Sequence, residues 1–131
     1  MIERLAVDSN VVIDLIRKGG PVPPGLLEPG EVLLPLPVLG ELLAGAYSST
    51  RSDENLRAIE TVVRNWAVLE PKLETAHHYG RLRGLFREMP RATQARINDL
   101  WIAALCLQHN LPLLTNDRGF DIIPGLAVLH W

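Results

Sequence analysis

Arg4-Leu5-Ala6-Val7-Asp8-Ser9-Asn10-Val11-Val12-Ile13-Asp14-Leu15-Ile16-Arg17-Lys18 changes its hydrophobic period midway. Leu5-Ala6-Val7 is an unbroken apolar run stopped by the polar pair Asp8-Ser9, which reads as a short buried strand over residues 4–8. The period then changes. Val11, Val12, Leu15 and Ile16 share one side of a helix over residues 10–18, and Arg17-Lys18 fall in its last turn, where cations favour the helix dipole. A buried strand running straight into a helix is the start of a βα unit, and repeated units build a parallel sheet with helices on both faces.

The pattern repeats outward. Residues 19–30 are rich in Pro and Gly and read as a surface loop, and residues 31–34 as a second strand. Pro35 and Pro37 follow, with Pro37 suited to the first turn of a helix that runs to Tyr47. A helix over residues 53–65 carries Leu56, Ile59, Val62 and Val63 at helical spacing. Residues 67–69 read as a third strand, residues 72–88 as a long polar helix ending before Pro90, and residues 92–109 as another helix. Strands over residues 111–115 and 127–129 complete the chain. The expected class is α/β: one domain, 1–131, with a central, mainly parallel sheet between helix layers.

A chain of 131 residues buries roughly two-thirds of its unfolded surface and needs no covalent staple. The single cysteine, Cys106, cannot form an internal disulfide and reads as a small buried hydrophobe. Charged residues interrupt the N-terminus and no apolar run reaches about 20 residues, so neither a secretory leader nor a membrane span is expected; the cytoplasm is the default location. The net charge is −2. Four acids at element ends stand apart; removing them from the 15 acidic residues leaves 11 against 13 basic ones. Whole-chain charge therefore neither supports nor excludes a polyanionic substrate.

Those four are Asp8, Glu41, Asp99 and Asp117. Asp8 and Asp117 each follow a strand, where open α/β sheets place their sites. Glu41 interrupts Val38-Leu39-Gly40-Glu41-Leu42-Leu43, so it is expected to be partly buried and to need a partner, an arginine or a shared metal ion. Asp99 precedes Leu100-Trp101-Ile102-Ala103-Ala104-Leu105, with Asn98 a candidate helix cap. Ordinary roles compete: Asp8 or Ser9 as a helix cap, Asn10 in a turn, and turn chemistry for Asn116-Asp117. Thr115 reads as a plain strand residue or as a hydroxyl orienting a carboxylate. If the fold gathers the acids, each like pair costs about 4 kcal/mol at about 4 Å. A divalent metal relieves that repulsion, and oxygen ligands select Mg2+ or Mn2+. His77 and His78 are adjacent on a helix and cannot chelate together.

Taken in order, four segments resemble the PIN-domain nucleases, specifically the VapC-type toxins of toxin–antitoxin pairs. They are Leu5-Ala6-Val7-Asp8-Ser9-Asn10, Leu39-Gly40-Glu41-Leu42-Leu43-Ala44-Gly45, Asn98-Asp99-Leu100-Trp101-Ile102-Ala103-Ala104 and Leu113-Leu114-Thr115-Asn116-Asp117-Arg118-Gly119-Phe120. Ile123-Pro124-Gly125-Leu126-Ala127-Val128 is also similar. The resemblance implies a three-layer α/β/α PIN-like fold and metal-dependent endonucleolytic cleavage of RNA. It makes Asp8, Glu41, Asp99 and Asp117 the catalytic, metal-holding quartet, with Asn10 and Thr115 in accessory positions. It implies a small VapB-type antitoxin as partner and a homodimer. Basic residues for an RNA backbone include Arg17, Lys18, Arg81, Arg83, Arg87, Arg91 and Arg96.

Other readings are weaker. A haloacid-dehalogenase-type phosphatase wants a second aspartate two positions after the first, where Asn10 stands, and a late lysine, but no lysine follows Lys72. A response-regulator receiver lacks the same lysine. A non-catalytic PIN-like module that sequesters RNA or a peptide is the alternative from a different class. Trp66, Trp101 and Trp131 read as core or interface anchors, since an aromatic content of 5% disfavours a base-stacking surface.

Overall fold

The computed structural model describes residues 2–18, 30–88 and 97–131. Strand β1 is Arg4–Val7, helix α1 Ser9–Lys18, β2 Glu31–Pro35, α2 Leu36–Tyr47, α3 Ser52–Val63, β3 Ala67–Leu69 and α4 Leu73–Leu85. Helix α5 is Ile97–His109, followed by β4 Leu113–Thr115, a 3-10 turn at Arg118–Ile122 and β5 Val128–His130. The loop expected over residues 19–30 and the start of the helix expected at residue 92 lie almost wholly outside the described residues.

The five strands form one sheet in the order β3-β2-β1-β4-β5, parallel at every pairing. From β1 the chain builds outward to β2 and β3, then returns past β1 to lay down β4 and β5. Parallel crossovers are right-handed, so the two directions put helices on opposite faces. Accordingly α1 packs with α2 and α3, and α4 packs most extensively with α5. Leu5, Ala6 and Val7 in the central strand are wholly buried, the signature of a strand covered on both faces. Tyr79 of α4 stacks on Trp101 of α5, ring centroids 4.0 Å apart and nearly parallel. Nearby, the buried Thr75 hydroxyl bonds the Gln108 side chain.

Element ends follow local chemistry. Pro35 stands at the N-cap of α2 in extended geometry and Pro37 in its first turn, where a missing N–H costs nothing. Helix α5 ends in a left-handed residue, Asn110 (φ 54°). The Leu111 N–H donates to the Cys106 carbonyl at 2.8 Å and the Asn110 N–H to the Leu107 carbonyl at 3.3 Å, the paired bonds of a Schellman cap. This cap takes up Leu111, so β4 begins at Leu113, two residues later than the sequence suggested. No described helix is long and apolar enough to cross a membrane.

Candidate functional site

The β1/β4 boundary is where the chain reverses its direction across the sheet. Strands diverge from such a point and leave a crevice beyond their carboxyl ends. Asp8 leaves β1 into that crevice, and Thr115 ends β4 beside it. The Asp8 N–H donates to the Leu114 carbonyl at 3.0 Å, which fixes the two strand ends to each other.

Asp8 is 4% exposed, so its carboxylate must be answered from within. The Ser9 N–H donates to Oδ1 at 2.8 Å. The Thr115 hydroxyl donates to Oδ2 at 2.7 Å and the Asn10 amide to the same oxygen at 3.1 Å. Asp8 therefore accepts from the first N–H of α1 and from both accessory side chains, while its backbone carbonyl takes the Val11 N–H at 3.2 Å. Thr115 is fully buried, and its oxygen also accepts the Asp117 N–H at 3.0 Å. Asn10 reaches across in turn, its Oδ1 accepting the Asn116 N–H at 3.2 Å.

Glu41 joins from α2. The Ser9 hydroxyl donates to its Oε2 at 3.0 Å and the Asn98 amide lies 3.4 Å from Oε1. Ser9 thus ties Asp8 to Glu41, and Asn98 ties Glu41 to α5. The carboxylate is half-buried, as its apolar neighbours suggested, and its partners among the described residues are neutral donors rather than an arginine. Asp99 follows Asn98 in the first turn of α5, half-buried. Asn98 is therefore inside the helix, not its cap. Asp117 accepts the Gly119 N–H at 2.8 Å and caps the 3-10 turn. Arg118 lies 3.9 Å from Asp121, and Asp121 also meets His130 at 3.2 Å.

Asp8, Asn10, Glu41 and Thr115, with the backbone of Asp117, belong to one hydrogen-bonded network, and Asp99 is the residue after Asn98, whose amide meets Glu41. Among the described residues no three His, Cys, Asp or Glu side chains already form a metal-holding group; Ser9 and Thr115 space the carboxylates. Their donor chemistry nevertheless suits a hard cation. A carboxylate offers about four lone-pair positions. Asp8 spends three on the bonds above and Glu41 two, leaving oxygens for an outside partner. Ser9 and Asn98 are the site residues that the sequence reading placed only as caps. Their one signal was adjacency to an acid.

Cys106 lies on the buried side of α5, and burial, with Asp8 adding repulsion, pushes its thiol up to about 12. It is no nucleophile. Beside Glu41 opens an apolar groove of about 330 Å³ between α1, α2 and α3, lined by Ile13, Ile16, Leu42 and Ile59, with Arg17 at the same wall. Arg17, Lys18, Arg81, Arg83 and Arg87 are exposed; Arg91 and Arg96 lie outside the described residues.

Fold and site define a class: a parallel α/β domain with a hydrogen-bonded acidic site at the carboxyl edge of its sheet. Residues 5–126 match the family model described as PIN domain. Ribonuclease VapC1 of Haemophilus influenzae (strain R2866) is 28% identical over 130 residues, 95% of this chain and 96% of that protein. Ribonuclease VapC5 of Mycobacterium tuberculosis is 32% identical over 103 residues, 77% of this chain and 75% of that protein. A crystal structure of DNA-bound VapBC from Salmonella typhimurium superposes with a TM-score of 0.82 at 25% identity, covering 100% of this chain and 99% of that one. The chain belongs to the PIN-domain family and, within it, to the VapC ribonucleases.

Proposed function

We propose that the chain is a metal-dependent endoribonuclease, the toxin of a type II toxin–antitoxin pair, restrained by a small VapB-type antitoxin. The observation that carries this reading is Asp8. It is a buried carboxylate held by Thr115 and Asn10 at the point where the sheet opens, with Glu41 tied to it through Ser9. Its relatives are named ribonucleases, and a neighbouring structure is a VapBC complex.

Asp8, Glu41, Asp99 and Asp117 would hold Mg2+ or Mn2+, which supplies positive charge against a phosphate and acidifies a water at neutral pH. Thr115 and Asn10 hold the Asp8 carboxylate in a single orientation. Ser9 and Asn98 do the same for Glu41, so the acids are arranged before substrate arrives. Arg17 and Lys18, on the same helix as Asn10, offer cations to an RNA backbone. Attack of water in line with the 3′ oxygen leaves 5′-phosphate ends, and no histidine is needed as base.

The groove beside Glu41 fits the antitoxin. Its apolar wall suits the apolar face of a short helix, and Glu41 at its edge suits a basic side chain from the same segment. A homodimer belongs to the same reading; Leu73 and Leu85, 80% and 62% exposed, are apolar surface that such a contact would cover.

One observation favours the alternative of a non-catalytic module that sequesters RNA or a peptide: the spacing of the carboxylates by neutral side chains. Incubation with total bacterial RNA separates the two. The nuclease reading expects cleavage with Mg2+ or Mn2+, none with chelator, 5′-phosphate ends, and loss of at least about a hundredfold in rate for folded Asp8→Asn. Equal cleavage by wild type and Asp8→Asn, or RNA binding without cleavage in either metal, contradicts it.

A further inference from the structure

We propose that Trp131 is a positioning residue for the acidic site, latching α1 against the ends of β4 and β5. The activity arm of this inference rests on the nuclease reading above; its structural arm does not.

Helix α1 carries Asn10, Asp14 and Lys18 four residues apart, so the three share one face. The first reaches the site, its amide on Asp8 and its carbonyl oxygen accepting the Asn116 N–H. The second meets Trp131: the indole Nε1 donates to Asp14 Oδ2 at 2.7 Å. Lys18 closes over both, with Nζ 3.0 Å from the same Asp14 oxygen and 5.8 Å from the indole centroid. The backbone of Trp131 is held on the other side, its N–H donating to the Thr115 carbonyl at 3.0 Å. Thr115 in turn donates to Asp8.

These contacts make a closed ring: Trp131 backbone, Thr115, Asp8, Asn10, one turn of α1, Asp14, and back to the Trp131 indole. A ten-residue helix is too short to fix itself, so its placement comes from tertiary contacts. Val11, Val12 and Leu15 bury its apolar side, but apolar packing is not directional. The directional contacts of its side chains are Ser9 to Glu41 at the first residue, Asn10 to the β4 end, and Asp14 to Trp131, the last of these holding the second turn. Opening the ring at the indole leaves α1 buried while loosening its rotation, and Asn10 and Asp8 move with it. Asp14 and Trp131 lie outside the four sequence segments that carry the acids, and nothing in the acidic pattern pointed to either.

Trp131→Phe keeps an aromatic side chain at this position and removes the Nε1 donor. We expect a melting temperature near that of wild type and, on total bacterial RNA with Mn2+, a fall in kcat of about tenfold with KM unchanged. Amide exchange at Asn116 and Asp117 should accelerate by about tenfold, while Leu5–Val7 stays as protected as before. Asp14→Asn, which retains an acceptor for the indole, should restore most of the loss seen in Asp14→Leu. Unchanged exchange at Asn116 and Asp117 overturns the proposal. So does accelerated exchange with unchanged kcat, or acceleration spread equally into Leu5–Val7, which would mark Trp131 as a general structural anchor. If wild type cleaves no RNA, the nuclease reading fails and the exchange measurement alone decides the latch.

Discussion

Asp8 shows how much a single position can be asked to do. It ends the central strand, accepts a bond from the first N–H of α1, and takes two further donors on its outer oxygen. Its acidic character and its place after an apolar run were legible in the sequence, and so were Asn10 and Thr115. What was not legible was the donor Ser9 gives to Glu41, because that bond spans 32 residues and exists only once α1 and α2 are packed. The Trp131–Asp14 bond spans 117 residues and left no local signal at all. Thr115 is the residue whose replacement reads this chemistry most cleanly. Thr115→Val keeps the shape, leaves Asp8 one donor short, and removes the hydroxyl oxygen that accepts the Asp117 N–H. Urea denaturation should register a loss of about 1–3 kcal/mol. A stability equal to wild type would mean the buried hydroxyl is not the partner described here.

At the scale of elements, hydrophobic period gave existence and order, while local capping chemistry set the ends. The helix expected over residues 72–88 stops at Leu85, because Phe86 (φ −99°, ψ 7°) has left helical geometry four residues before Pro90. The strand expected from residue 111 begins at Leu113, because Asn110 and Leu111 serve the cap of α5. That cap is testable. Asn110 has φ 54°, a region costing most side chains about 1–2 kcal/mol, so Asn110→Ala should destabilise by about 1 kcal/mol and Asn110→Gly should not. Equal losses for both would assign the effect to the lost side chain instead. Helix α1 yields a pH prediction. The bond from Trp131, with Lys18 beside it, holds the Asp14 carboxyl below its ordinary value of 3.8. A lowered folded value makes the stabilisation complete above the unfolded value and lost as pH falls through the folded one. The stability gap between wild type and Asp14→Leu should therefore be constant at neutral pH and narrow progressively below pH 3.8. A gap unchanged from pH 7 to pH 2 would mean that the bond does not depend on the charge.

For the whole molecule, strand–helix alternation predicted a parallel α/β domain, and the sheet is parallel throughout. Strand order was beyond the sequence, since every strand carries the same apolar pattern and nothing local says which neighbour it takes. Yet the order decides the site. With β1 between β2 and β4, the sheet opens beside Asp8 and brings Thr115 to it across 107 residues. The same order lets α2 and α5, which contact each other, bring Glu41 and Asn98 together. We propose that these carboxylates act as one centre around a hard divalent ion, although neutral side chains space them among the described residues. Crystals of the protein grown with Mn2+ and recorded at a wavelength where manganese scatters anomalously test it most directly. An anomalous peak is expected within ligand distance, about 2.0–2.2 Å, of Asp8 and Glu41 carboxylate oxygens, absent from folded Asp8→Asn. Saturating Mn2+ with no peak at these oxygens, or with peaks only elsewhere on the surface, would contradict it.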